Sequence, residues 1–217
     1  MAEFPRFRDV PRKMAHLAID DRGFPVPWFV AWQDGKPVFP ALDPRKLKRA
    51  IARNLCWVCG GELGRIKAFV IGPMCAVNRT SAEPPCHLEC ARFSALNCPF
   101  LSKPNMGRVP IGHYGGTREN TPGVMLERNP GVTLIWQTRR YELFDDGAGG
   151  TLFDIGKPHA VEWYARGRAA TRAEVWESIV SGLPHLEALV AADPDREGAR
   201  AELDQRIIAT APLLPQA

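Results

Sequence analysis

The sequence predicts an α+β fold: an N-terminal β-hairpin and helix, a small module organised by clustered cysteines, and a C-terminal β-meander closed by helices. Three observations carry this expectation. All six cysteines fall between Cys56 and Cys98. Short runs rich in β-branched and aromatic residues alternate with turn residues on both sides of that cluster, and the longest stretches with helical signals come after Thr171. The 217 residues, 45% hydrophobic and 24% charged, suffice to bury a core without disulfide staples, which excludes a disordered or fibrous chain. Gly and Pro together make up 39 residues and favour turns over helices.

Met1 to Met14 carries Arg6, Arg8, Arg12 and Lys13 and lacks the apolar stretch of a secretory signal. The most apolar run, Ile66 to Val77, is broken by Lys67, Gly72 and Pro73 and falls far short of the roughly 20 residues of a membrane span. A cytoplasmic protein without membrane association is therefore expected, and in that reducing setting clustered cysteines bind metal in preference to forming disulfides. Charge divides the chain. Residues 1–118 hold 18 Lys and Arg against 9 Asp and Glu, a net of +9, whereas residues 119–217 hold 10 against 15, a net of −5. The division suggests a basic domain over 1–118 and an acidic one over 119–217, the first suited to a polyanionic partner.

Within the basic half, Val26, Trp28, Phe29, Val30 and Trp32 lead into the turn Asp34-Gly35, followed by Val38 and Phe39, the pattern of a β-hairpin. Asp43-Pro44 supplies an N-cap and a first-turn proline. Leu47, Ala50, Ile51 and Leu55 then recur at helical spacing, predicting a helix over 44–54. Its other face carries Arg45, Lys46, Lys48, Arg49 and Arg53 with no acid among them, either a solvated face or a phosphate-facing stripe.

Cys56-Trp57-Val58-Cys59-Gly60-Gly61 has the form of a zinc knuckle: two thiolates two residues apart can share one metal, and the glycines permit the tight turn that aims amides at the sulfurs. Residues 61–80 read as a hairpin with its strand at Ala68 to Ile71 and a break at Gly72-Pro73. Pro84 and Pro85 then suit the first turn of a helix on which His87 and Cys90, at i and i+3, share a face. Knuckle, hairpin and ligand-bearing helix together resemble the treble-clef class of zinc finger over residues 55–100. That resemblance implies Cys56, Cys59, His87 and Cys90 as a closed Cys₃His site for Zn²⁺. Cys86, at i−4 from Cys90, is an alternative to His87, and an iron–sulfur cluster on Cys56, Cys59, Cys90 and Cys98 is a second alternative. Cys75 and Cys98 otherwise read as small core residues. Asn78-Arg79, ahead of the helix, reads as a turn with a surface arginine or as an anion contact.

The cysteine segment, together with Val26-Pro27-Trp28-Phe29-Val30-Ala31-Trp32, the run from Phe69 to Arg79 and the run from Gly167 to Val175, resembles a family of small uncharacterised proteins encoded by phages, prophages and bacterial genomes. The resemblance implies a phage or mobile-element context and a metal site, and no activity.

In the acidic half, Val132 to Gln137, Tyr141 to Phe144, Thr151 to Ile155 and His159 to Tyr164 are four strand-like runs suggesting a β-meander. Asp145 to Gly150 has hairpin-tip composition and lacks the ligand spacing of a calcium loop. Thr171-Arg172-Ala173-Glu174 is a capping box opening a helix through Ser181, with Val175, Ile179 and Trp176 inward and Gly182 ending it. Helical stretches over 184–192 and 196–210 follow, the second with Ala199, Leu203, Ile207 and Ile208 at core spacing, and Pro212 and Pro215 mark a frayed tail.

Nucleophile-elbow, P-loop and dinucleotide motifs are absent, and no small-molecule substrate is evident. The favoured reading is a zinc-stabilised nucleic-acid-binding protein with Arg45, Lys46, Lys48, Arg49, Arg53, Arg65, Lys67 and Arg79 on phosphates. The alternative is a protein-interaction module, a phage factor acting on a host or phage machine, whose zinc is purely structural. A metal-dependent HNH-like nuclease, with His113 as base, is the least supported because the histidine expected before the second ligand pair is missing.

Overall fold

A four-stranded antiparallel sheet separates two hydrophobic cores. The computed structural model describes residues 6–7, 9–103, 129–147 and 149–216. In chain order the elements are β1 (Val30–Gln33), β2 (Lys36–Leu42), α1 (Pro44–Arg53), β3 (Lys67–Ile71), α2 (Pro73–Asn78), β4 (Thr80–Ser81), α3 (Leu88–Asn97), α4 (Pro99–Ser102), β5 (Val132–Thr138), β6 (Glu142–Asp145), β7 (Thr151–Asp154), β8 (Ala160–Ala165), β9 (Arg168–Ala169), α5 (Arg172–Ala192) and α6 (Arg196–Thr210). The dividing sheet has the order β3-β5-β8-β9, a second sheet has the order β4-β7-β6, and β1-β2 stands alone. The fold is α+β as expected. The boundary at 118/119 and His113 lie outside the described residues, and β3 pairs with β5 from the other side of that boundary.

Every residue of β5 is buried, and its two-residue alternation assigns side chains to the two cores. Val132, Leu134 and Trp136 join the larger core with Phe69 and Ile71 of β3, Trp163 and Ala165 of β8, and side chains of α2, α5 and α6. Ile135 faces the other way and joins Ala68, Ala91, Phe93 and the buried cysteines. A strand buried on both faces carries a near-continuous apolar run, which is what Val132 to Trp136 is apart from Thr133.

The local expectations at the N-terminus are met. Asp34 and Gly35 take positive φ in the β1-β2 turn, Asp43 caps α1 by accepting from the Arg45 amide, and Asn54 ends α1 in the left-handed region. The four strand-like runs of the C-terminal half all form strands. They do not form a meander: β5 pairs with β3 and β8, while β6 and β7 make a hairpin that joins β4 in the other sheet. Likewise, residues 61–80 are not a local hairpin, because β3 is claimed by β5 and the segment after it coils into α2. In both places the apolar run marks a strand and leaves its partner open.

Helix α5 begins at the expected capping box and continues through Gly182 and Pro184 to Ala192. Gly182 is no terminus; it lies where a Cβ would come within 2.7 Å of Met74 Sδ, so the missing side chain lets α5 pack closely on α2. The bond that Pro184 cannot donate would go to the Val180 carbonyl, in a turn whose Val180 side chain is exposed and water can substitute. Trp176 and Ile208 point outward, 52% and 72% exposed, contrary to their expected core positions. The tail is not frayed: Leu214 is buried, the Trp163 indole donates to the Leu213 carbonyl at 2.8 Å, and Arg172 donates to the Pro215 carbonyl.

On the cysteine side of the sheet, Glu162 of β8 accepts two bonds from Arg92 of α3 (2.6 and 2.8 Å) and one each from Gln137 and Tyr164 (both 2.8 Å). The Arg92 guanidinium holds the Glu162 carboxyl below its usual range against the opposing effect of burial, with the tyrosine and amide donors assisting. Burial, then the neighbouring carboxylate, pushes the Tyr164 phenol up to about 12. A depressed carboxyl stabilises the fold above the unfolded value of about 4.3 and loses that contribution as pH falls through the lower folded value. Glu162→Gln should therefore cost about 1–2 kcal/mol at neutral pH, less than a fully buried charged network because the group is partly exposed. Denaturant titrations at pH 7 and pH 3 check this: the gap between wild type and variant should narrow at the lower pH.

Candidate metal centre

The knuckle is shaped by backbone bonds before any metal enters. The Gly60 amide donates to the Cys56 carbonyl at 2.8 Å and the Cys56 amide to the Gly61 carbonyl at 2.7 Å, closing the turn. Gly60 has φ +74° and sits under the Trp28 ring, where a Cβ would come within 2.7 Å, so both its handedness and its bareness are needed. Trp28 is anchored there by donating its amide to the Val58 carbonyl, and Phe29 stacks on Trp57 at 4.9 Å. The β1-β2 hairpin is thereby fastened to the back of the knuckle.

The second ligand pair comes from the entrance of α3. His87 is the N-cap residue and Cys90 lies in the first turn; the two prolines precede the helix and do not open it. The Ala68 and Cys86 backbones exchange two bonds, 2.9 and 2.7 Å, and the Trp57 amide donates to the Pro85 carbonyl. These contacts lay the approach to α3 against the knuckle.

The result is a buried group in which the Sγ atoms of Cys56, Cys59 and Cys90 and a ring nitrogen of His87 all lie within 4.8 Å of one another, close enough to bind a metal. His87 Nδ1 is 3.4 Å from Cys59 Sγ, and its Nε2 is 2.8 Å from the Glu62 carbonyl. That carbonyl accepts only from a protonated Nε2, which leaves Nδ1 as the free lone pair facing the sulfurs. Amides of Cys59 and His87 each point at Cys56 Sγ from 3.4 Å. Hydrogen bonds from Cys59 and Cys90, with those amides, favour the Cys56 thiolate, while Cys59 and Cys90 are pushed up because their protons serve that anion. One thiolate is thus buried between two thiols in a dry site, where a cation would displace the thiol protons and be held by all three sulfurs. His16 Nε2 lies 3.0 Å from the Cys59 carbonyl, and Lys13 pairs with Glu89 at 3.0 Å, so the N-terminal segment closes over the group.

The geometry separates the alternatives that spacing leaves open. Cys86 is turned away, donating its thiol to the Ala68 carbonyl at 3.2 Å, and burial pushes its ionisation up. Cys98 is eight residues beyond Cys90 at the far end of α3, about 12 Å along the axis, and is not part of the group. Cys75 packs against the larger core.

The eight cations expected on phosphates are dispersed. On α1, Lys48, Arg49 and Arg53 are exposed and have no acidic partner among the described residues. Arg45 is held by Asp43 at 3.0 Å, and Lys46 folds back to donate to the Val30 carbonyl and lie 6.0 Å over Trp28. Arg65 is exposed, and Lys67 donates to the Gly64 carbonyl. Arg79 is half-buried 4.9 Å over Trp136, ending α2 in the left-handed region, with Arg206 donating to the adjacent Asn78 carbonyl. The cations Arg139, Arg140 and Lys157, absent from the expected set, surround a hollow with Arg65. The dipeptide Arg139-Arg140 is visible in the sequence, but its neighbours come from distant loops.

No family model, curated protein or solved structure matches the chain.

Replacing a true ligand should abolish metal retention, whereas replacing a bystander thiol should not. Metal analysis of purified protein is expected to find one ion per chain in wild type and in Cys86→Ala, and its loss in His87→Ala and Cys59→Ala. Cys59→Ala should also unfold the knuckle and α3.

Proposed function

We propose that the protein is a zinc-stabilised nucleic-acid-binding protein and, on its sequence resemblance, one of phage or mobile-element origin. Zinc suits a donor set of three thiolates and an imidazole, which fills a tetrahedron and leaves no open position for substrate. On this reading the metal holds the fold, and binding belongs to the surface. The observation that carries the reading is the outer face of α1: Lys48, Arg49 and Arg53 stand exposed, with no acidic partner among the described residues, on a helix whose other side is fixed to the knuckle through Ala50, Leu55 and Trp57. Cations on an anchored helix, within a half of net +9, favour phosphates through counterion release.

Lys48→Glu combined with Arg49→Glu should weaken binding to labelled DNA and RNA by about tenfold or more at low salt and lower the slope of log affinity against log salt. Fluorescence anisotropy over a salt series reads both, and unchanged affinity would remove α1 from the interface. The alternative of a protein-interaction module is favoured by the apolar side chains that α5 and α6 leave exposed, Trp176, Val180, Leu189 and Ile208. A stoichiometric protein partner retained after nuclease treatment would support it.

A further inference from the structure

A second group of cations without ion-pair partners among the described residues lies away from α1, at the end of the dividing sheet. Arg65, Arg139, Arg140, Lys157 and His159 line a hollow of about 620 Å³ together with Thr138, Gly156 and Pro158. No carboxylate is among these lining residues, and the four fixed cations have no ion-pair partner among the described residues. Three segments contribute: the link into β3 gives Arg65, the turn after β5 gives Arg139 and Arg140, and the turn before β8 gives Lys157 and His159.

These cations are held together by a built floor. The hydroxyl of Thr138, which is buried, shares its one proton between the Arg140 carbonyl (2.8 Å) and the Lys157 carbonyl (3.1 Å), and it accepts from the Arg140 amide. The His159 amide donates to the Gln137 carbonyl at 2.6 Å. Gly156 has φ +63°, and a Cβ there would come within 2.8 Å of the Arg140 carbonyl oxygen, so only glycine lets the two turns approach this closely. One buried hydroxyl and one glycine therefore bring like charges to a common rim against their mutual repulsion, which an anionic ligand removes.

We propose that this hollow is a phosphate-binding site that takes the phosphodiester backbone of a nucleic acid, a proposal that rests on the nucleic-acid reading above and adds a second contact surface to α1. The chemistry of the lining defines the mode of recognition. It presents guanidinium and ammonium donors suited to phosphate oxygens, and it contains no Phe, Tyr or Trp on which a base could stack. Recognition is accordingly by backbone and indifferent to base sequence.

The test compares wild type, Arg139→Gln with Lys157→Gln, and Lys48→Gln with Arg49→Gln, all metal-loaded and with matching circular dichroism. Anisotropy is measured on labelled homopolymeric and mixed-sequence oligonucleotides across a salt series. The proposal expects the hollow variant to lose about tenfold or more in affinity and about two units of salt slope on duplex DNA, equally for every sequence. Wild-type affinity in the hollow variant, with binding lost in the α1 variant, would overturn the hollow and leave the function standing. No binding by wild type at low salt would overturn both. As a check independent of substitution, amide resonances of residues 138–140 and 156–159 in wild type should shift on titration with the oligonucleotide. Shifts confined to other residues would overturn the hollow as the site.

Discussion

Three thiol sulfurs and one imidazole nitrogen converge in a space from which water is excluded, and the arrangement of the N-terminal half depends on what satisfies them. A thiolate buried between two thiols is costly to keep from water, whereas a divalent ion would displace the two thiol protons and take all four donors as ligands. The groups around the four donors are arranged for this. Glu62 fixes the His87 tautomer, the Cys59 and His87 amides point at Cys56, and His16 and Lys13 close the open side. Through the knuckle the same centre anchors Trp28 and Phe29, hence the β1-β2 hairpin, and through Leu55 and Trp57 it anchors α1. Through Cys90 it sets the start of α3, whose Arg92 reaches across to Glu162 of the dividing sheet.

The sheet links that centre to the rest of the chain. β5 contributes alternate residues to the two cores, so a displacement of the cysteine side would be felt by Trp136 and the helices behind it. The turns at the end of the sheet then inherit a fixed geometry, with Thr138 tying one to the other. The backbones that carry Arg139, Arg140 and Lys157 are thus fixed, while their exposed side chains keep their own freedom.

What the sequence made legible was local. The Asp34-Gly35 turn, the Asp43-Pro44 start of α1, the capping box at Thr171 and the positions of the strands can each be read from a few adjacent residues. The set Cys56, Cys59, His87 and Cys90 was legible because paired ligands on a turn and on a helix entrance leave few combinations. Cys86 stayed open in the sequence because i+3 and i+4 both place a donor beside Cys90. A backbone exchange with Ala68, invisible in the spacing, turns its thiol away. Strand partnership was illegible for the same reason: Ala68 to Ile71 is an apolar run whichever strand it meets, and β5 claims it from far along the chain. Gly182 and Pro184 carry the signals of a helix break, which packing on Met74 overrides. The basic hollow was missed because its members are scattered over three turns and lie on both sides of the charge boundary.

X-ray absorption at the metal edge of the metal-loaded chain reads the coordination of this centre. A closed Cys₃His site gives a four-coordinate ion with three sulfurs at about 2.3 Å, one nitrogen at about 2.0–2.1 Å and no exchangeable water. Fewer than three sulfurs, or an oxygen ligand, would contradict a closed centre of Cys56, Cys59, His87 and Cys90.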